Sequence, residues 1–147
     1  MKVSKDQVIE VLDKVFKSYP SFTYNVVESK TFDGLPMLKI FAHYGNIEIN
    51  QVRGQYVQLV SLALWPWGLA PQVFGGNGGQ HIYRKPDLSD PKEKYLAMKG
   101  IKIPFRSPKN EEKAILKAIE NFFTRYVDTM KENKGNLMYQ NLVGYVF

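Results

Sequence analysis

Apolar residues recur at helical spacing near the N-terminus of the chain. Between residues 4 and 19 they fall three or four positions apart, which is typical of a helix with one buried face. Ser4 and Gln7 have the spacing of a capping box at the start of this stretch. Pro20 ends it, because the residue before a proline disfavours helical backbone. The apolar positions are Val8, Val11, Leu12, Val15 and Tyr19.

A second and longer helical pattern occupies the C-terminal third. Ser107 is a favourable N-cap, Pro108 stands at the favoured first position, and Gly135 is a suitable C-cap. We therefore predict a helix from Ser107 to Gly135 with a wide apolar face. That face comprises Ile115, Ala118, Ile119, Phe122, Phe123, Tyr126, Val127 and Met130.

Between the helical patterns, short apolar or alternating blocks predict strands. The predicted strands cover residues 22–29, 37–44, 47–52 and 56–64. Turn signals separate them at Asp33–Gly34, Gly45–Asn46 and Arg53–Gly54. Such short connections allow antiparallel pairing and exclude parallel crossovers. The pattern predicts a meander of four strands.

The last predicted strand ends in Trp65-Pro66-Trp67, which contains both tryptophans of the protein. Pro66 has no N–H to donate to a sheet, so the strand is expected to stop there. Glycines at 75–79 then predict flexible backbone, and residues 80–94 a surface excursion. Alternation at Ile101, Ile103 and Phe105 predicts one more short strand.

These elements predict one α+β domain over residues 1–147. Its antiparallel sheet has four to five strands, and an N-terminal helix and a long C-terminal helix cover one face. A chain of 147 residues with 44% apolar content is long enough to bury a core.

Composition says more about the cellular location of the protein than about its activity. The chain has no cysteine, no apolar run that would span a membrane and a charged N-terminus, so we expect a cytoplasmic protein without membrane contact. Its net charge of +6 is concentrated in residues 80–106, which carry seven basic and three acidic residues. Such an excess attracts nucleic acid or an acidic partner, or serves as solubilising surface.

No familiar catalytic or cofactor motif is present. The glycines of "GGNGG" lack the following Gly-Lys-Ser/Thr of a phosphate-binding loop, and no GxSxG serine elbow occurs. His43 and His81 have no further ligands at zinc-site spacing. We therefore expect a non-enzymatic protein with no cofactor or metal, and keep an unfamiliar enzyme built around His81 as the least favoured alternative.

Several segments follow one another in the order known from one protein family. They are Asp33–Gly34, "GNIEI" at 45–49, Arg53–Gly54 with Tyr56, "LALWPWGLAPQVF" at 62–74 and "GIKIPF" at 100–105. Together with the order of elements, they resemble the ubiquitin-conjugating-enzyme fold, and more closely its inactive variants, the UEV domains, and the related RWD domains. The active members of this family carry a thioester on a cysteine, and this chain has no cysteine. The resemblance therefore implies a non-catalytic domain that binds a ubiquitin-like protein or a peptide.

Two hypotheses for function remain from the sequence. The first is a protein-interaction domain that docks its partner on exposed aromatic residues; the alternative for these residues is that they close the core. The docking residues would be Tyr56, Trp65, Trp67 and Phe74. The second is a nucleic-acid-binding module that uses cations with tyrosines for base stacking. Its residues would be Tyr83, Arg84, Lys85, Lys92, Lys94, Tyr95, Lys99, Lys102 and Arg106.

Overall fold

The computed structural model confirms the α+β class and the antiparallel sheet. It describes residues 2–44, 59–72, 79–83, 89–92 and 100–133. Within these ranges the chain forms two helices and six strands. In chain order they are α1 (Lys5–Phe16), β1 (Phe22–Lys30), β2 (Pro36–Tyr44), β3 (Leu59–Trp65), β4 (Gly68–Pro71), β5 (Gly79–Tyr83), β6 (Gly100–Pro104) and α2 (Glu112–Glu132).

Four strands form the main sheet in the order β1-β2-β3-β4, with every neighbouring pair antiparallel. Strand β2 pairs directly with β3, for example Ile40 with Leu62. The predicted meander placed residues 47–52 between these two strands, and that order is wrong because β3 already occupies the edge of β2. Residues 47–52 themselves lie outside the described residues.

A second antiparallel pair joins β5 to β6. The expected strand around Ile101 and Ile103 is therefore confirmed. The expectation of an irregular excursion from residue 80 is wrong for its first residues, because residues 80–83 belong to β5. Ile82 and Ile103 are buried in the same core as the helices and the main sheet.

The N-terminal helix forms as the apolar spacing predicts. The Ser4 side chain accepts a hydrogen bond from the Gln7 N–H, and the Gln7 side chain accepts one from the Ser4 N–H, which completes the capping box. Val8 and Leu12 are fully buried, and Phe16, which the predicted stripe omitted, is also buried.

Helix α2 begins later than the sequence predicts. Its N-cap is Glu111 rather than Ser107, and the Glu111 side chain makes no capping hydrogen bond. Residues 105–109 are irregular, with the Phe105 ring against the ring of Phe122. These tertiary contacts keep the segment out of the helix that Ser107 and Pro108 favour locally. The C-cap is Asn133, and Gly135 lies outside the described residues.

The two helices run parallel to each other. Gln7 Nε2 donates to Glu112 Oε1 at 2.7 Å near their starts, and Lys14 Nζ lies 3.3 Å from Glu120 Oε1 further along. At their ends, the Lys131 ammonium lies 5.0 Å from the centre of the Tyr19 ring. Both helix N-termini therefore lie at one end of the domain.

The core lies between the helices and the main sheet. Phe16 of α1 contacts Phe123 of α2, while Phe22 of β1 contacts Tyr126 of α2, both edge to face. On the main sheet, the residues that join this core are Phe22, Val26, Leu38, Ile40, Ala42, Tyr44, Val60, Leu62, Leu64 and Leu69. Ser61 and Ala63 alternate with these and are also buried, so β3 is covered on both faces.

Candidate interaction surface

The tryptophan turn, residues 65–68, is a tight hairpin between β3 and β4. Trp65 pairs with Gly68, which leaves Pro66 and Trp67 as the two turn residues. The strand stops at Pro66 as predicted, and the chain reverses there into β4, a strand that was not among the predicted ones. Gly68 makes this possible, because its φ of +144° is a conformation that residues with a side chain rarely adopt.

The two indoles stack on each other above this turn. Their ring centres are 5.2 Å apart and their planes differ by 8°. Trp65 is half-buried, whereas 67% of Trp67 is exposed to solvent. The inner ring therefore supports the outer one, and Trp67 presents a large apolar surface that the domain itself leaves uncovered.

A second apolar tip lies at the same end of the sheet. Strands β1 and β3 both run antiparallel to β2, so the turns that follow β1 and β3 lie at the same end of the sheet. The β1–β2 turn carries Phe32, which is fully exposed, and Leu35, which is 47% exposed. Together with the tryptophan turn, these residues form what we call the apolar end of the domain.

The tryptophan turn is tied to the segment that precedes α2. The Asn110 side-chain Nδ2 donates to the Pro66 carbonyl at 3.2 Å. Since the N-terminus of α2 also lies next to the N-terminus of α1, the turn is attached to the helical layer as well as to the sheet. A turn held at several points loses little conformational entropy when a partner binds it.

The structure brings together only part of the predicted docking surface. Trp65 and Trp67 lie side by side, while Tyr56 and Phe74 lie outside the described residues. Sequence reasoning missed Phe32 and Leu35. A signal was available, because both apolar residues flank the Asp33–Gly34 turn, where polar residues are usual.

The residues of the nucleic-acid hypothesis are described less completely. Lys92, Lys102 and Arg106 are all exposed, and Tyr83 is the last residue of β5. The remaining members lie outside the described residues. These are Arg84, Lys85, Lys94, Tyr95 and Lys99.

Two tyrosines have perturbed acidities. A hydrogen bond from the Tyr24 hydroxyl to the Asp13 carboxylate, reinforced by burial and by the carboxylate's charge, raises the pKa of Tyr24 to about 12. Burial raises the pKa of Tyr126 well above its usual range, with a backbone hydrogen bond at Tyr44 acting in the opposite direction. Neither lies at the apolar end, so both are properties of the scaffold.

The described residues contain no assembled chemical centre. His43 is buried in β2 and His81 belongs to β5. Across the described ranges, no three side chains of His, Asp or Glu converge as metal ligands. In the same part of the chain, neither helix combines the length and the apolar character needed to cross a bilayer. The arrangement that stands out is therefore the apolar end, whose properties suit contact with another molecule.

Comparison with protein-family models, with curated proteins and with solved structures found no match for this chain.

Proposed function

We propose that this protein is a non-catalytic interaction domain that binds a protein partner through the apolar end. The observation that carries the proposal is the exposed indole of Trp67 stacked on Trp65. Tryptophan is enriched among residues that dominate binding energy at protein interfaces. An indole supported by a second ring reaches a partner without the cost of ordering a flexible side chain.

The surroundings of Trp67 extend this contact area. Phe32 and Leu35 add apolar surface at the same end. Exposed apolar residues indicate an interaction site when several of them lie in one region. The partner we favour is a ubiquitin-like protein or a peptide, in keeping with the resemblance to UEV and RWD domains. The α+β architecture with two helices on an antiparallel sheet is compatible with that resemblance.

The test compares Trp67→Ala with the matched control Leu59→Ala. Leu59 is also a partly exposed apolar residue of β3, but it lies at the opposite end of the strand from the turn. Ubiquitin is titrated into each protein, with indole fluorescence and backbone amide shifts as readouts, and immobilised proteins are exposed to cell lysate. We expect binding to fall by about tenfold or more in Trp67→Ala and to persist in Leu59→Ala.

The proposal fails in two ways that this design separates. If ubiquitin causes no shifts and no lysate protein is retained by the wild type, the domain has no protein partner under these conditions. If wild type, Trp67→Ala and Leu59→Ala bind equally, a partner exists but does not use the apolar end.

Nucleic-acid binding is the second candidate, because Lys92, Lys102 and Arg106 are all exposed. Binding through phosphates would weaken steeply as salt increases. Anisotropy of a labelled 20-nucleotide single strand at low salt tests it, with Lys102→Gln and Arg106→Gln expected to reduce affinity. A flat titration would rule this candidate out.

A further inference from the structure

A groove of about 610 Å³ runs between α2 and the irregular segment that precedes it. Its apolar floor includes Phe105, Ala118 and Phe122. Phe122 is buried and meets the partly buried Phe105 edge to face at 6.0 Å, so the floor is preformed. A site of this volume is within the usual range for a bound ligand or peptide side chains.

The rim of the groove is cationic. Arg106, Lys117 and Arg125 line it, and no carboxylate is found among the described residues that do so. All three side chains are exposed, and none forms an ion pair with an acidic residue of the described ranges. Guanidinium groups suit paired hydrogen bonds to carboxylate or phosphate oxygens. The groove therefore presents apolar contacts below and positive charge above.

The length of the groove favours an extended ligand. Lys117, Asn121 and Arg125 follow one another at every fourth residue, so they lie along one side of α2. At 1.5 Å per residue, Lys117 and Arg125 are about 12 Å apart along the axis. This distance matches about four residues of extended peptide.

The groove continues toward the apolar end. Pro108 lines it, and Asn110, two residues later, hydrogen-bonds the carbonyl of Pro66 in the tryptophan turn. The Pro108 end of the groove therefore lies near the tryptophan turn. This continuity links the groove to the surface on which the proposed function depends.

We propose that the groove binds an acidic, extended peptide segment of the partner protein, next to the contact with Trp67. The proposal rests on the proposed function, since it assigns a second contact to the same partner. Carboxylates of the segment pair with Arg106 and Arg125, and its apolar side chains pack on the partly exposed Phe105 and Ala118.

A nucleic acid fits the groove less well than an acidic peptide. Base stacking needs an exposed ring face, whereas Phe122 is buried and already in contact with Phe105. Asp128 is exposed and follows Arg125 by three residues, so the positive side of α2 is interrupted after one more turn. A short acidic segment can end before it reaches this carboxylate. A continuous phosphate backbone would run past it and be repelled by its negative charge.

The test uses a displayed library of random 12-residue peptides, selected on the wild-type protein. Selected sequences are resynthesised with a fluorescent label and measured by anisotropy against Arg106→Gln/Arg125→Gln. The matched control is Lys113→Gln, an exposed lysine of α2 outside the groove. We expect selected peptides to be enriched in Asp and Glu, and the double variant to bind about tenfold or more weakly while the control binds normally.

Several results would overturn the inference. Selected peptides without acidic enrichment, or equal binding by the double variant and Lys113→Gln, would remove the groove as an acidic-peptide site. Tighter binding of a 12-nucleotide oligo-dT than of any selected peptide, lost in the double variant, would replace the peptide by nucleic acid.

Measuring the same peptides on Trp67→Ala separates the two proposals. Dependence on Trp67 without dependence on Arg106 and Arg125 retains the proposed function and rejects the groove. The reverse pattern retains the groove and rejects the apolar end as the main contact.

Discussion

The side-chain amide of Gln80 forms two hydrogen bonds with the backbone of Ser61 in β3. Its Oε1 accepts from the Ser61 N–H at 2.6 Å, and its Nε2 donates to the Ser61 carbonyl at 2.6 Å. Strand β4 ends at Pro71, and the N–H of the next residue, Gln72, still donates to the Ser61 carbonyl at 3.0 Å, whereas the Ser61 N–H donates to Gln80. The amide of Gln80 therefore satisfies a buried backbone group at the point where the regular ladder stops.

Replacing Gln80 by Ala should lower the free energy of unfolding by about 1–3 kcal/mol, because the buried Ser61 N–H loses its partner. Urea denaturation followed by circular dichroism measures the loss. Gln80→Glu is the informative companion variant: its carboxylate would face the Ser61 carbonyl at neutral pH, whereas a protonated carboxyl can donate. We expect Gln80→Glu to regain part of its lost free energy of unfolding as the pH falls toward 4. A loss that does not change with pH would contradict this account.

The bond between Tyr24 and Asp13 makes stability depend on alkaline pH. The pKa of Tyr24 is raised from 10.0 to about 12 in the folded protein. Above pH 10 the unfolded chain therefore loses the phenolic proton before the folded chain does. The contribution of this bond is fully present below pH 10 and is lost between pH 10 and about 12.

We expect Tyr24→Phe to be less stable than wild type by about 1 kcal/mol at pH 8, a value reduced for solvent screening. The difference between the two proteins should vanish as the pH approaches 12. Urea midpoints at pH 8, 10 and 11 measure it, and the loss from Tyr126 cancels because both proteins contain it. Asp13→Ala should behave as Tyr24→Phe does; a difference that is as large at pH 11 as at pH 8 would show that the bond is not the cause.

At the scale of the elements, the β3–β4 hairpin depends on the backbone conformation of Gly68. Gly68 has φ +144°, yet no atom lies within 4 Å of the position that a Cβ would occupy. The cost of a side chain there is therefore backbone strain rather than a steric clash. The same conformation sets the position of Trp67, so the turn and the proposed docking surface depend on one glycine.

Gly68→Ala should destabilise the protein by about 1–3 kcal/mol and alter the fluorescence of the stacked indoles. Thr23→Ala, an exposed substitution on β1, serves as the control and should stay within about 0.5 kcal/mol of wild type. Denaturant titrations with tryptophan emission provide both readouts. Equal stability of Gly68→Ala and wild type would show that the turn adopts another conformation in solution.

For the domain as one unit, stability depends on the aromatic contacts between helices and sheet. Phe123 is fully buried in α2 and contacts Phe16 of α1 and Phe122 of its own helix. Phe32 has the same side chain but is fully exposed at a turn. These two residues separate the effect of burial from the effect of residue type.

Phe123→Ala should lower the free energy of unfolding by about 3–5 kcal/mol, because it removes buried contacts and leaves a cavity. Phe32→Ala should change it by less than about 0.5 kcal/mol while reducing apolar surface at the proposed docking end. Thermal and urea denaturation measure both variants. Comparable losses for the two would contradict the burial described here.

Features with local causes could be predicted from the amino-acid order. Helix periodicity, the Ser4–Gln7 capping box, the alternation of β1 and the stop at Pro66 all depend on residues a few positions apart. The sequence therefore predicted the class of fold and the location of both tryptophans at a strand end. It also predicted the apolar face of α2 that packs in the core.

Features that depend on distant residues became visible only in three dimensions. These features include the pairing of β2 with β3 and the bond between Gln80 and Ser61, which join segments that are distant in the chain. They also include the start of α2 at Glu112, which is later than the local sequence predicts. The exposure of Trp67, the nearby Phe32 and the cationic groove also depend on which surfaces the core leaves uncovered. Local propensity cannot contain this information, because burial is a property of the packed chain and not of any one segment.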